Sequence, residues 1–141
     1  DDMGLYAVGP DGSQQSIYLG SYGIGITRLM GVVAEKMSDD KGLVWPEAIA
    51  PYKVYLVSIG EQGAVEAERL YDELTARGIE VLFDDRDERP GTKFADAELM
   101  GIPYRLTVSD RLVEQNKLEL TKRLDGQTSL LTASEVLAIL D

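Results

Sequence analysis

Charged side chains of both signs crowd residues 84–98, between an apolar run and an apolar helical pattern. Five residues in or beside this segment are of types that bind polar ligands: Asp85, Arg86, Lys93, Phe94 and Glu98. Carboxylates accept hydrogen bonds, arginine and lysine donate them, and an aromatic ring stacks on a base. The segment is therefore typical of a ligand-recognition site, and a solvated loop with a helix cap is the alternative.

Metal binding and catalysis are less well supported by the residues. Asp84 and Asp85 are adjacent carboxylates at a predicted strand end, where magnesium is held in some α/β proteins. The preceding predicted strand ends in Ser58-Ile59-Gly60 and offers no further carboxylate, so we expect no metal site. The chain has no cysteine and no histidine. This excludes disulfides, thiolate zinc sites, a cysteine nucleophile and the commonest general base, and we expect no catalytic residue.

The elements that position these residues follow from apolar periodicity. Three apolar runs predict strands and two amphipathic patterns predict helices, in the order strand 53–59, helix 62–77, strand 79–83, helix 94–101 and strand 104–108, with Pro90-Gly91 as a turn. The first helix should bury Val65, Leu70 and Leu74 along one face. Alternation of strand and helix implies right-handed crossovers and a parallel sheet, which binds ligands at the carboxyl ends of its strands.

The last third of the chain changes character. Residues 118–124 alternate apolar and polar side chains, Asp125-Gly126 is a hairpin turn signal, and residues 128–131 return as a strand. Thr132 and Glu135 form a capping box before a helix over 132–140. The predicted fold class is α/β, a three-layer domain with a mixed five-stranded sheet and about three helices.

The first part of the chain predicts a strand over 16–22 and an apolar helix over 28–36. Gly20, Gly23 and Gly25 allow a ligand or a neighbouring segment to approach the backbone, or serve packing. They are not a dinucleotide fingerprint, because Arg28 stands where the third glycine is needed. Two prolines stiffen residues 45–51, so we place a domain boundary at a linker over 45–52.

The net charge of −11 argues against binding of a nucleic-acid duplex through a basic surface. RNA recognition would have to use base-edge hydrogen bonds, stacking and a small cationic cluster, which suits unstacked loops, with weak affinity. No apolar run approaches the length of a membrane span, and the polar start of the chain does not look like a secretory signal. A soluble, cytoplasmic protein without a membrane partner is expected.

The order of residues 83–103 resembles the C-terminal anticodon-binding domain of bacterial-type prolyl-tRNA synthetases. Upstream, residues 20–28 with the helical pattern after them resemble motif 3 of class II aminoacyl-tRNA synthetases, and residues 45–51 resemble the junction between the two domains. The resemblance covers roughly residues 17–109. It implies a strand–helix remnant of a class II catalytic domain in residues 1–44 and an anticodon-binding domain in residues 53–141.

The resemblance also implies a function. The parent protein would be a homodimeric, ATP-dependent proline–tRNA ligase that uses Mg²⁺ and attaches proline to tRNA(Pro) through a prolyl-adenylate. Gly23, Gly25 and Arg28 would contact ATP, with the guanidinium at the polyphosphate. Only the last strand and helix of the catalytic sheet are represented, so we expect this chain alone to be inactive and to bind no ATP.

For the anticodon loop, the resemblance implies contacts by Asp85, Arg86, Lys93, Phe94 and Glu98. Proline anticodons share two adjacent guanines. A lysine can donate to guanine O6 or N7, a carboxylate can accept from N1 and N2, and an arginine can bind a guanine edge or a phosphate. Phe94 would stack on a base or belong to the core.

Several alternatives stay open at this point. Threonyl-, histidyl- and glycyl-tRNA synthetases share the domain and a turn like Gly101-Ile102-Pro103, whereas the doubled Asp84-Asp85 and the run over 95–99 look prolyl. Thr27 stands where many class II enzymes carry an acidic residue before the arginine, a departure that bacterial-type prolyl enzymes tolerate. A non-catalytic binding module that reuses this fold is the alternative from another class, and the motif 3 resemblance argues against it.

Overall fold

The computed structural model describes residues 4–141, so the first three residues of the predicted 1–44 remnant lie outside the described part. The elements are β1 (Tyr6–Val8), β2 (Gln14–Ser16), α1 (Ile26–Lys36), β3 (Val54–Ile59), α2 (Glu61–Ala76), β4 (Val81–Asp84), α3 (Pro90–Met100), β5 (Tyr104–Ser109), α4 (Asp110–Glu114), β6 (Leu118–Lys122), β7 (Thr128–Leu131) and α5 (Ala133–Leu140). The predicted α/β class is confirmed.

The main sheet has five strands in the order β4-β3-β5-β6-β7. β3 is parallel to both β4 and β5, as the crossovers through α2 and α3 require. β6 is antiparallel to β5 and β7, so the C-terminal hairpin completes the sheet at one edge. The mixed five-stranded sheet predicted from the sequence is confirmed.

Helices cover the two faces of this sheet unequally. α2 and α5 bury one face in the larger apolar cluster, whose members include Val54, Leu56, Leu70, Leu74, Leu106, Val136 and Leu140. α3 covers the other face mainly over β3, where Ala97 and Ile102 pack on Tyr55 and Val57. The part of that face formed by β5, β6 and β7 beside α3 therefore remains the polar side of the sheet.

Several local predictions were wrong, each for a local reason. Val65 is 70% exposed, because the buried stripe of α2 runs through Gly63, Ala67, Leu70 and Leu74 instead. α3 begins at Pro90 rather than at residue 94, since proline is favoured in the first turn of a helix. The short helix α4 was not predicted, although Ser109 caps it by accepting from the backbone N–H of Leu112. The predicted Thr132–Glu135 capping box of α5 is confirmed.

The N-terminal region contains the predicted helix, as α1, but not the predicted strand. β1 and β2 form an antiparallel hairpin that ends at Ser16, and residues 17–25 form neither strand nor helix. Three glycines disfavour a strand in that stretch. α1 has no fully buried residue, and it exposes the apolar side chains of Ile26, Leu29, Met30 and Val32. A hairpin and a helix thus precede the sheet domain.

Residues 39–45, called the strap below, bind to the sheet domain. The backbone N–H of Leu43 donates to the carbonyl of Leu99 at 3.1 Å, and that of Trp45 donates to the carbonyl of Gly101 at 3.1 Å. Further on, the hydroxyl of Tyr104 donates to the Glu47 carboxylate at 2.7 Å. The segment that leads into the predicted linker is therefore held against the end of α3 rather than acting as a free spacer.

Close approach of the strap depends on Gly101, which ends α3 in the left-handed conformation with φ of 71°. A Cβ there would overlap the carbonyl of Leu43. We expect Gly101→Ala to lower the free energy of unfolding by about 2 kcal/mol and to expose the amides of Leu43 and Trp45 to hydrogen exchange.

A matched control is Gly78→Ala. Gly78 has φ of 78° after α2, but nothing lies within 4 Å of where its Cβ would stand. It should show the backbone cost alone, about 1 kcal/mol, with strap amides unchanged. Equal effects of the two substitutions on unfolding and on strap exchange would contradict the close contact as the source of the difference.

Candidate functional site

The carboxyl end of β4 carries a cluster of hydrogen-bonded charged groups. Asp84 is buried and accepts the Tyr55 hydroxyl at 2.6 Å. Arg86 donates to it from Nε and Nη2, both at 2.8 Å, and Nη2 also donates to Asp96 at 2.7 Å. The strand end thus fixes one guanidinium at the surface, where 49% of the side chain is exposed.

Protonation in this cluster follows from its geometry. The hydrogen bonds from Arg86 hold the pKa of Asp84 below its usual value, in opposition to burial, and the Tyr55 hydroxyl adds to the lowering. Burial and the hydrogen bond to Asp84 raise the pKa of Tyr55. Asp84 is therefore a carboxylate and Tyr55 a hydroxyl donor throughout the physiological range of pH.

The same contacts limit what Arg86 can bind. Nε and Nη2 of Arg86 both donate to carboxylates. Nη1 is the one nitrogen of this guanidinium that has no partner among the described residues. A two-pronged contact with a guanine edge would need donors that are already taken. The arrangement favours a single contact to a phosphate oxygen, and exposed Asp85 directly precedes Arg86 in the chain.

Lys93 lies inside the molecule, with 4% of the residue exposed. Its ammonium donates to the backbone carbonyl of Asp84 at 3.0 Å and to that of Ser58 at 3.4 Å. It therefore joins the carboxyl ends of β3 and β4 beneath α3. Its predicted contact with a base would require the side chain to leave these carbonyls.

Phe94 is half-buried against the cluster around Tyr55 and Val57. The guanidinium of Arg105 lies over its ring, 4.3 Å from the centroid. That ring face is therefore covered by a cation, and a base placed here would stack on the Arg105 plane or replace it.

Glu98 lies one turn beyond Phe94, on the side of α3 that faces the polar part of the sheet. Its carboxylate pairs with the Lys41 ammonium of the strap at 3.2 Å. Both groups line a pocket of about 260 Å³ whose other lining residues are Asp39, Ala97, Ile102, Arg105, Thr121, Lys122, Arg123, Leu124, Asp125 and Gly126. A partly enclosed pocket lined by both polar and apolar groups suits a small planar polar group.

α3 separates the sequence-predicted residues into two groups. Asp85 and Arg86 lie on the β4 side, where they line a shallow depression with Asp96 and Leu82. Phe94 and Glu98 point towards β5 and β6. Lys93 belongs to neither surface. The predicted single site is therefore two polar surfaces on either side of one helix.

The pocket residues that were not singled out from the sequence include Lys41, Arg105 and Thr121. Arg105 Nη2 donates to Thr121 Oγ1 at 3.3 Å, while its Nε is buried without a hydrogen-bond partner among the described residues. The signal available for Arg105 was strand alternation, which turns Arg105 away from Tyr104 and Leu106 towards the polar face. Nothing in the sequence placed Lys41 there.

The glycine-rich segment before α1 has a simpler geometry. Gly25 is the residue before α1 and its carbonyl accepts the backbone N–H of Leu29 at 2.8 Å. Gly23 and Arg28 are exposed. Apart from Arg28, residues 20–28 offer no charged side chain, so this segment supplies a single cation for a polyphosphate.

Residues 4–141 contain neither a metal-binding cluster nor a membrane-spanning helix. No group of three or more His, Cys, Asp or Glu side chains there is arranged to hold a metal ion. Within the same residues, no helix combines the length and the apolar character that a membrane crossing needs.

Comparison with known proteins places this geometry in context. Residues 53–141 match the family described as anticodon binding domain. A proline–tRNA ligase of Paracoccus denitrificans is 44% identical over 140 residues, which cover 96% of this chain and 31% of the relative. Those of Rhodopseudomonas palustris and Burkholderia pseudomallei are 42% and 46% identical over 98% of the chain, and 32% and 25% of their own lengths are covered. The chain spans between a quarter and a third of these relatives.

Proposed function

Since this chain belongs to the anticodon-binding domain family, we propose that it is the tRNA-recognition part of a proline–tRNA ligase and binds the anticodon loop of tRNA(Pro). The observation that carries the proposal is the pocket beside α3, where the carboxylate of Glu98 stands at an opening of about 260 Å³. A carboxylate can accept from N1 and N2 of guanine, and no other standard base offers that pair of adjacent donors.

The other surface would contact the RNA backbone. Arg86 is held by two carboxylates and offers Nη1 to a phosphate, which positions an RNA without reading its sequence. Asp85 stands beside it as a further acceptor.

Phe94 and the Arg105 guanidinium over it provide a plane for stacking. In this assignment Lys93 supports the strand ends from within, and its base contact stays a prediction.

Residues 1–44 would be the remnant of a class II catalytic domain, followed by a linker over 45–52. There Gly23, Gly25 and Arg28 would contact ATP, and the exposed apolar face of α1 would pack on the rest of that domain. The whole protein would act in the cytoplasm as a homodimer that uses ATP, Mg²⁺ and proline. Because a single cation does not make an ATP site, we expect the chain alone neither to bind ATP nor to aminoacylate tRNA.

The site is tested by Glu98→Gln. Fluorescence anisotropy would measure binding of the chain to a tRNA(Pro) anticodon stem–loop and to one in which both anticodon guanines are adenines. The wild-type chain should prefer the guanine loop, and Glu98→Gln should remove about 1–3 kcal/mol of that preference, because a neutral amide accepts less strongly from N1 and N2.

Glu68→Gln is the control for loss of one carboxylate, since Glu68 is exposed on α2, at the opposite face of the sheet. It should leave the preference unchanged. Equal binding of both loops by the wild-type chain would refute recognition of the proline anticodon, and an unchanged preference in Glu98→Gln would refute the assignment of Glu98.

A further inference from the structure

The cation beside Glu98 comes from the strap. Lys41 Nζ lies 3.2 Å from Glu98 Oε1, and both side chains are partly exposed, at 57% and 34%. We propose that Lys41, which lies outside the matched residues 53–141, is a specificity-determining residue of the RNA site. This inference rests on the proposed function and adds to it the donor that accompanies the Glu98 acceptor.

The chemistry of the pair matches one base edge. The Watson–Crick edge of guanine presents the O6 acceptor next to the N1–H and N2–H₂ donors. An ammonium and a carboxylate side by side complement that order, with Lys41 donating to O6 and Glu98 accepting from N1 and N2. Adenine presents a donor at N6 and an acceptor at N1, so it would place like groups together. Without RNA, the Lys41 ammonium donates a hydrogen bond to the Glu98 carboxylate.

The backbone of Lys41 is fixed by contacts around it. Asp39 accepts the backbone N–H groups of Lys41 and Gly42 at 2.9 and 3.1 Å. The same carboxylate receives both Nη groups of Arg123 at 2.6 and 2.7 Å, and only 8% of the Arg123 side chain is exposed. Arg123 Nε also donates to the carbonyl of Glu98 at 3.1 Å. One guanidinium thus holds the strap turn and the helix residue that form the pair.

Close packing adds a second constraint. A Cβ on Gly42 would overlap the backbone of Leu99, the residue after Glu98. The strap therefore lies directly on α3 at this point, and the distance between the two backbones is fixed. Only the flexible stem of Lys41 has to move for the ammonium to turn from Glu98 to a base.

The other cations of the pocket are Arg105, Lys122 and Arg123, and among the described residues none of them forms a salt bridge with the Glu98 carboxylate. Each of the three guanidinium nitrogens of Arg123 already donates, either to the Asp39 carboxylate or to the carbonyl of Glu98. Arg105 lies on the Phe94 ring. Within residues 4–141, Lys41 is the cation that pairs with the Glu98 carboxylate.

The test uses atom-specific changes in both molecules. The probes are tRNA(Pro) anticodon stem–loops in which one guanosine is replaced by 6-thioguanosine, which weakens the O6 acceptor, or by inosine, which lacks the N2 amino group. In the wild-type chain at least one position should lose on the order of tenfold in affinity with either analogue. Lys41→Met should abolish the 6-thioguanosine effect at that position and keep the inosine effect, whereas Glu98→Gln should abolish the inosine effect.

Two further variants separate specific reading from general charge. Lys36→Met removes an exposed lysine of α1 and should leave both analogue effects intact. Lys41→Arg keeps a donor and should retain the 6-thioguanosine effect. If Lys41→Met binds guanosine and 6-thioguanosine loops with the same ratio as the wild-type chain, Lys41 does not read O6 and the inference fails while the proposed function stands. If the wild-type chain ignores both analogues and the adenine loop, both fail.

Discussion

Replacement of Asp84 by alanine is expected to lower the free energy of unfolding by about 3 to 4 kcal/mol. The substitution leaves the buried Tyr55 hydroxyl without its acceptor and removes both charge-assisted hydrogen bonds from Arg86. Asp96 alone would then hold the guanidinium. Urea denaturation at pH 7 measures the loss, and weaker binding of every anticodon stem–loop, with unchanged base preference, would follow from a mobile Arg86.

Asp85→Ala is the matched control, because Asp85 is the next residue and is exposed. It should change the free energy of unfolding by less than about half a kcal/mol. A similar, small effect of both substitutions would contradict the buried network as a source of stability.

The pH dependence provides a second readout of Asp84. Its pKa is lower in the folded chain than the usual value, so its contribution to stability is present above about pH 4 and is lost as the pH falls towards the folded pKa. Between pH 7 and pH 3 the wild-type chain should lose about 1 kcal/mol more than Asp84→Asn. An equal loss in both would mean that Asp84 titrates alike in the folded and unfolded chains.

Lys93→Ala is expected to cost about 3 kcal/mol, because it empties a buried site and leaves the carbonyls of Ser58 and Asp84 without their donor. Lys93→Met also leaves both carbonyls without this donor but keeps the apolar stem and removes a buried charge, so it should cost less, about 1 to 2 kcal/mol. Denaturant unfolding measures both, and Lys36→Ala, at an exposed lysine, should be nearly neutral.

The methionine variant also decides the role of Lys93. If the side chain supports the strand ends, Lys93→Met folds and keeps the preference for guanine over adenine loops. Loss of that preference in a folded Lys93→Met variant would show that the ammonium leaves its carbonyls to reach the RNA, as the sequence alone suggested.

The comparison of Lys93 with Lys41 shows where sequence reasoning reaches its limit. Apolar runs and turn residues predicted the strands of the sheet, and local chemistry predicted the capping box at Thr132, because those signals lie within a few residues. The burial of Lys93 depends on carbonyls of two strands that meet only in the fold. The pairing of Lys41 with Glu98 joins residues 57 positions apart, and no periodicity encodes it.

The stretch before α1, which was predicted as a strand, shows a related limit of sequence reasoning. Residues 16–22 have the β-branched and aromatic content of a strand, but a strand needs a neighbour to bond with, and composition does not report whether one is present. The prediction that Val65 is buried was wrong for the opposite reason. α2 has a clear buried stripe, and Val65 lies outside it.

The position of α3 between the two polar surfaces sets a requirement on the shape of any RNA that would bind as proposed. A molecule that touches Arg86 on one side and Glu98 on the other has to cross over the helix, whose width with side chains is about 10 Å. A duplex keeps the Watson–Crick edges of its bases paired inside, so it cannot lay its backbone on one side and a free Watson–Crick edge on the other. An opened loop can do both. The helix would therefore select for loop topology through sterics, before any base is identified and without the basic surface that this acidic chain lacks.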